Sequence, residues 1–264
     1  MSSFTAKDVQ ALRQATGAGM MDAKKALTEA DGDADAAAKW LREKGLVKAA
    51  SRADRANTQG AVAVSSHDRV AAMVELRSET DFSAKAEDFT TTVQTLVDAV
   101  AAGGEDAIVA HKDLVENLNI AKKENIEVGR VARVEAAGDN ILDAYLHRQE
   151  GRGVNGVIVE LAGGTPELAH DIAVHIAFTK PRYLRREDVP ADQVAEERAT
   201  LESITRAEGK PEAAMDKIVE GRLTGWFKDQ VLLEQGFVRD EKQTVAQLLG
   251  DAELVRFVQV VIGS

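Results

Sequence analysis

Few side chains in this 264-residue chain are spaced for covalent chemistry. His170 and His175 fall on one expected helix, but a spacing of five turns them about 140° apart, whereas two metal ligands on one face need a spacing of three or four. His175 lies among Ile172, Val174 and Ile176 and reads as a packed, hydrogen-bonded histidine. Gly17-Ala18-Gly19 resembles part of a phosphate loop. No strand pattern precedes it, the third glycine of the dinucleotide fingerprint is missing and no Gly-Lys-Ser/Thr follows, so it reads as a turn between helices. With 44 Asp and Glu, any single carboxylate pair says almost nothing about acid–base catalysis. The chain has no Cys, which removes thiol nucleophiles, thiolate metal sites and disulfides together. Neither a catalytic set, a metal site nor a cofactor is expected.

Two other groups suit binding. Thr80-Asp81-Phe82-Ser83 stands where a strand pattern gives way to a helix. In one reading Asp81 or Ser83 caps the helix and Phe82 drops into the local core. In the other, Asp81 and Phe82 form an exposed wedge, and burying the ring in a partner contributes roughly 1.5–3 kcal/mol. Met20 and Met21 open a short helix after the glycine turn, with Lys24 one turn on. At least one methionine is expected to close a small helical core, leaving the other as an adaptable apolar contact and Lys24 as a partner for an acidic helix.

The elements that must position these residues read as α+β. A 44% hydrophobic chain of this length buries a sizeable core, and 4% aromatic content with abundant alanine points to helices packed through small side chains. The formal charge of −11 disfavours direct binding to nucleic acid, and neither a membrane-length apolar run nor a secretory pattern is present, so a cytoplasmic protein without membrane contact is expected. Residues 1–45 read as three helices: Thr5 and Asp8 form a capping box, Ala23, Ala26, Leu27 and Ala30 share a face, and Asp33 caps a third helix that buries Ala37, Trp40 and Leu41 and stops at Gly45. Residues 46–59 are basic-leaning without a clear apolar stripe and read as a linker or frayed helix.

From Gly60, a hairpin (61–64 and 70–76, turning at 65–69) and a helix ending at Gly103-Gly104 begin a first core subdomain, 60–140. Strands at 128–134 and 141–146 are expected to pair around Gly138-Asp139-Asn140. A second subdomain, 141–189 resuming at 229–264, echoes the first, since Val159-Glu160-Leu161 leads into a helix as Val74-Glu75-Leu76 does. Between them, residues 190–228 read as a coiled-coil-like helical hairpin broken at Gly209-Lys210-Pro211, with Val194, Leu201 and Ile204 facing Met215, Ile218, Val219 and Trp226. The tail from Thr244 reads as a short helix and a strand at 254–262.

Thr16 to Leu27 (TGAGMMDAKKAL), Glu79 to Lys85 (ETDFSAK), His175-Ile176-Ala177 with Lys180-Pro181, and Val219-Glu220-Gly221-Arg222 together resemble bacterial translation elongation factor Ts over essentially the whole chain. The resemblance implies an N-terminal module of the ubiquitin-associated type, two related α+β subdomains with antiparallel sheets and an inserted coiled-coil hairpin. It further implies a guanine-nucleotide exchange factor that binds elongation factor Tu and expels GDP without covalent chemistry of its own. On that resemblance Thr80, Asp81, Phe82 and Ser83 wedge near the partner's magnesium site, Met20, Met21 and Lys24 dock on the same domain, and His147, near a turn, meets another domain. Ser83 stands where a bulkier apolar residue is common, and the chain ends at Ser264 without the extra C-terminal helix of some relatives. The competing reading is an adaptor without exchange activity. A homodimer or 2:2 complex, through a strand edge or the hairpin, stays open.

Overall fold

The computed structural model describes residues 4–263; residues 1–3 and 264, the outer ends of the first and last expected segments, lie outside the described residues. α1 (Ala6–Thr16) begins with the expected reciprocal capping box between Thr5 and Asp8. α2 (Met20–Glu29) and α3 (Ala34–Ala50) complete the N-terminal bundle, whose core is Val9, Leu12, Ala23, Ala26, Leu27 and Ala37. The third helix does not stop at Gly45. It runs on to Ala50 because this glycine is a contact: a Cβ there would lie 2.9 Å from Ile120 Cγ1, so the missing side chain lets α3 lie close against a core helix.

The core begins with β1 (Gln59–His67) and β2 (Val70–Ser78), a hairpin whose connection shrinks to Asp68-Arg69 rather than 65–69. α4 (Asp81–Lys85) is a single turn, followed by α5 (Glu87–Gly103), α6 (Ala107–Ala110) and α7 (Lys112–Lys122). β3 (Glu127–Glu135) returns antiparallel beside β2. β4 (Ile141–Gln149) and β5 (Arg152–Ala162) form the next hairpin, and α8 (Pro166–Thr179) follows. The expected pairing of 128–134 with 141–146 does not form: β3 joins β2, β4 joins β5, and the Gly138 turn carries the chain from one sheet to the other. Both strands satisfy their backbone groups within their own hairpin systems, which short-range turn signals do not reveal.

α9 (Ala191–Ala207) and α10 (Met215–Gln230) form the helical hairpin, tied by Arg198–Glu220 and Arg222–Glu208. Its seam differs from the expected one at Ile204, which is 44% exposed, while the neighbouring Thr205 is fully buried and satisfies its hydroxyl on Leu201 O. A small β6 (Gly236–Phe237) and β7 (Asp240–Thr244) pair, unforeseen in sequence, precedes α11 (Val245–Leu249) and β8 (Glu253–Val261). β8 completes a sheet of order β4-β5-β8, antiparallel throughout, matching β1-β2-β3 in form.

α5 covers one sheet through Phe89, Val93, Leu96 and Val100, and α8 covers the other through Ala169, Ile172 and Ile176. The remaining faces of the two sheets meet in a third core of Val62, Met73, Ile158 and Val260. β1 and β5 therefore bury both faces, and their sequences are near-continuous apolar runs rather than alternating ones. At Gly156 a Cβ would fall 2.4 Å from Met73 Sδ, so the sheet contact needs a glycine there.

Candidate partner-binding site

α4 is too short to hold itself together by backbone bonds alone, and it is held from outside. Thr80 occupies the N-cap in extended conformation, and its hydroxyl accepts the Ser83 N–H. Glu124, 44 residues away, receives the Thr80 N–H at 3.1 Å on Oε2, and on Oε1 both the Thr80 hydroxyl at 2.7 Å and the Ser83 hydroxyl at 2.6 Å. A carboxylate thus sits at the positive end of the turn and fixes both polar side chains of the motif inward. The neighbouring Asn125 donates its N–H to Glu79 Oε1 at 2.7 Å and its side-chain amide to Ala53 O and Arg55 O, anchoring the segment after α3 to the same bend.

With Thr80 and Ser83 turned in, Asp81 and Phe82 face out. The Phe82 side chain is 83% exposed, so the reading that buries it in the local core fails. The Asp81 carboxylate accepts from Lys85 Nζ at 2.6 Å, and this hydrogen bond holds its pKa below the usual carboxylate range. Lys85 also pairs with Glu150 in the β4–β5 turn, and its pKa is raised by the hydrogen bonds to Asp81 and then to Glu150. Beneath them Arg152 is buried, with Nη1 on Gly60 O at 2.5 Å and Nη2 on Gln59 Oε1 at 3.3 Å, stapling β5 to β1. An aromatic ring and a compensated acid therefore project from a turn braced by both sheets. This geometry presents a surface and holds no reacting pair.

His147 is exposed within β4, opposite Asn155 and beside a bulge, near the turn at Glu150-Gly151. The strand that carries His147 ends at the turn that touches Lys85. Met20 and Met21 open α2, whose N-cap Gly19 makes no side-chain cap bond, and Lys24 is exposed one turn on. Both methionines lie outside the bundle core, at 50% and 74% exposure. The expectation that one would close the core is corrected: the alanine face of α2 lets the helices approach closely enough for Leu12 and Leu27 to fill the space. Met20, Met21 and Lys24 are placed on the N-terminal bundle, with no hydrogen bond or ion pair among the described residues linking them to α4.

His175 is fully buried, its Nδ1 accepting the Val238 N–H at 3.3 Å and its Nε2–H donating to Gln235 Oε1 at 3.0 Å; burial lowers its pKa. His170 instead meets Asp143 on the surface, at 3.2 Å. No cluster of three or more His, Cys, Asp or Glu suited to a metal occurs among the described residues, and no helix among them is long and apolar enough to cross a membrane. Glu124 and Asn125, which set the position of the α4 turn, were not singled out in the sequence. They follow a helix end in a chain with 44 acidic residues, and nothing local points across 44 positions.

The sequence model of a family described as Elongation factor TS matches residues 79–264, from just before the α4 turn onward. Proteins described as elongation factor Ts are similar along the whole length: 46% identity in Acidothermus cellulolyticus, over 100% of this chain and 99% of the relative, and 45% in Renibacterium salmoninarum, over 100% of both. That of Micrococcus luteus is 45% identical over 96% of this chain and 95% of its own. On these matches, the chain belongs to the elongation factor Ts family.

Proposed function

We propose that this chain is a guanine-nucleotide exchange factor that acts on elongation factor Tu in the cytoplasm during polypeptide elongation, with Asp81 and Phe82 as the elements that disturb the partner's magnesium-binding site. The observation that carries the reading is the Phe82 ring, 83% exposed on a turn that Glu124 clamps from below. Burying such a ring yields roughly 1.5–3 kcal/mol. If the pocket for it exists only in the displaced state of the GTPase, that energy shifts the partner toward release of Mg²⁺ and GDP. Linkage then requires the nucleotide to bind more weakly by the factor with which the exchange factor prefers the empty partner. Mg²⁺ tolerates little departure from octahedral geometry, so a small displacement suffices, and no covalent step is involved. Thr80 and Ser83 act here as supports of the wedge. Met20, Met21 and Lys24 supply a second contact on the GTPase domain, and His147 a third on another domain.

The test is release of fluorescent GDP from purified elongation factor Tu. The intact chain accelerates release, and Phe82→Ala lowers the rate at saturation by roughly ten- to a hundredfold, the equivalent of the lost burial. Because the ring is exposed, the same substitution leaves urea stability within about 0.5 kcal/mol. Binding without any acceleration by the intact chain would identify an adaptor instead. Equal loss of affinity and rate in Asp81→Ala with Phe82→Ala, with release from the saturated complex unchanged, would remove the wedge.

A further inference from the structure

Mild oxidants of the hydroperoxide class attack two kinds of protein sulfur, thiolates and thioethers. This chain has no Cys and five Met, so thioethers carry that chemistry alone. Burial divides them. Met73 is fully buried where the two sheets meet, Met215 is 5% exposed at the start of α10, and Met1 lies outside the described residues. Met20 and Met21, half and three-quarters exposed, are the accessible thioethers among the described residues. They are adjacent, they open α2, and neither belongs to the core of the N-terminal bundle. The adaptable apolar patch on this bundle is therefore made of the side-chain type that an oxidant turns polar. Leucine at both positions would give similar apolar surface without that sensitivity.

We propose that Met20 and Met21 form a reversible oxidation site through which hydroperoxides weaken docking of this chain on its GTPase partner. The inference rests on the reading that these two methionines contact elongation factor Tu. With hydrogen peroxide, a sulfur lone pair attacks one peroxide oxygen, the O–O bond breaks, an S–O bond forms and the second oxygen leaves as water; the thioether loses two electrons and the peroxide gains them. The sulfoxide oxygen is a hydrogen-bond acceptor, and burying it in a contact made for an apolar side chain leaves it unsatisfied. The fold itself is spared, because neither side chain is packed inside the bundle. Methionine sulfoxide reductases reverse the step at the expense of two thiols, which close to a disulfide while the oxygen leaves as water.

The experiment treats the full chain with hydrogen peroxide, removes the peroxide, locates added oxygen by peptide mass spectrometry and titrates the product against purified elongation factor Tu. Met20 and Met21 are expected to oxidise ahead of Met73 and Met215, with the urea midpoint unmoved. Affinity falls at least about tenfold, the equivalent of losing the burial of one such side chain, and methionine sulfoxide reductase with dithiothreitol restores it. In Met20→Leu with Met21→Leu, compared with its own untreated form, peroxide no longer changes the affinity. Equally fast oxidation of Met73 and Met215, a lowered urea midpoint, or a peroxide effect that persists in the leucine variant would overturn the proposal. Sulfoxide at both positions with unchanged affinity would overturn it too, and Met20→Ala with Met21→Ala then separates the causes: weaker binding by that variant leaves the docking contact standing and removes the oxidative control alone, whereas undiminished binding removes the contact itself.

Discussion

Glu124 offers the sharpest test of how the exposed turn is held. Glu124→Ala removes the acceptor for three hydrogen bonds, from Thr80 N–H, Thr80 Oγ1 and Ser83 Oγ. Bonds to a charged group contribute about 1.5–3 kcal/mol each, but water reaches the half-buried Thr80 and restores part of the loss, whereas buried Ser83 keeps an unsatisfied hydroxyl. The expected destabilisation is therefore about 3 kcal/mol, well below the simple sum. Glu124→Gln is milder, about 1.5 kcal/mol: its carbonyl oxygen can serve the two hydroxyls, but its amide then faces the Thr80 N–H, donor against donor. Urea unfolding measures both values. The same variants are then compared in GDP release from elongation factor Tu at saturating concentrations of this chain, where, on the proposed function, a loosened Phe82 is expected to cost about tenfold in rate for Glu124→Ala, or about 1.4 kcal/mol of transition-state stabilisation. A stability loss below about 1 kcal/mol would refute the energetic reasoning. Full loss of stability with an unchanged saturated rate would show that the clamp does not position the ring.

Two further outcomes concern the supports of the fold. Burial holds His175 neutral and its pKa below the usual histidine value of about 6.5, so the unfolded chain takes up a proton at a pH where the folded chain does not; stability is full above about 6.5 and falls as the pH drops toward the folded value, and His175→Gln flattens that slope in urea midpoints between pH 7.5 and 5.5. Gly45→Val places side-chain carbon where Ile120 already stands, 2.9 Å from the added Cβ, and is expected to cost about 1–3 kcal/mol and to expose the stretch after α3 to limited proteolysis, while unchanged protection would mean that α3 does not depend on this contact.

Elements whose signals are local were legible in the sequence. The Thr5 and Asp8 capping box, the alanine face of α2, the Asp33 cap, the break between α9 and α10 and the helix that carries His175 all depend on residues within a few positions of one another, where capping and periodicity act. The resemblance of the ETDFSAK segment likewise located the candidate surface before any geometry was known. Tertiary structure decided the rest. Whether Phe82 points inward or outward depends on Glu124 drawing Thr80 and Ser83 toward the core, a contact spanning more than forty residues. That β3 leaves β4 for β2, and that Gly45 continues a helix instead of ending it, follows from partners equally distant in the chain, Val74 and Ile120 among them. Short-range sterics and hydrogen bonds write themselves into neighbouring residues; packing and charge balance between remote segments do not, because each segment alone satisfies its local rules in more than one arrangement.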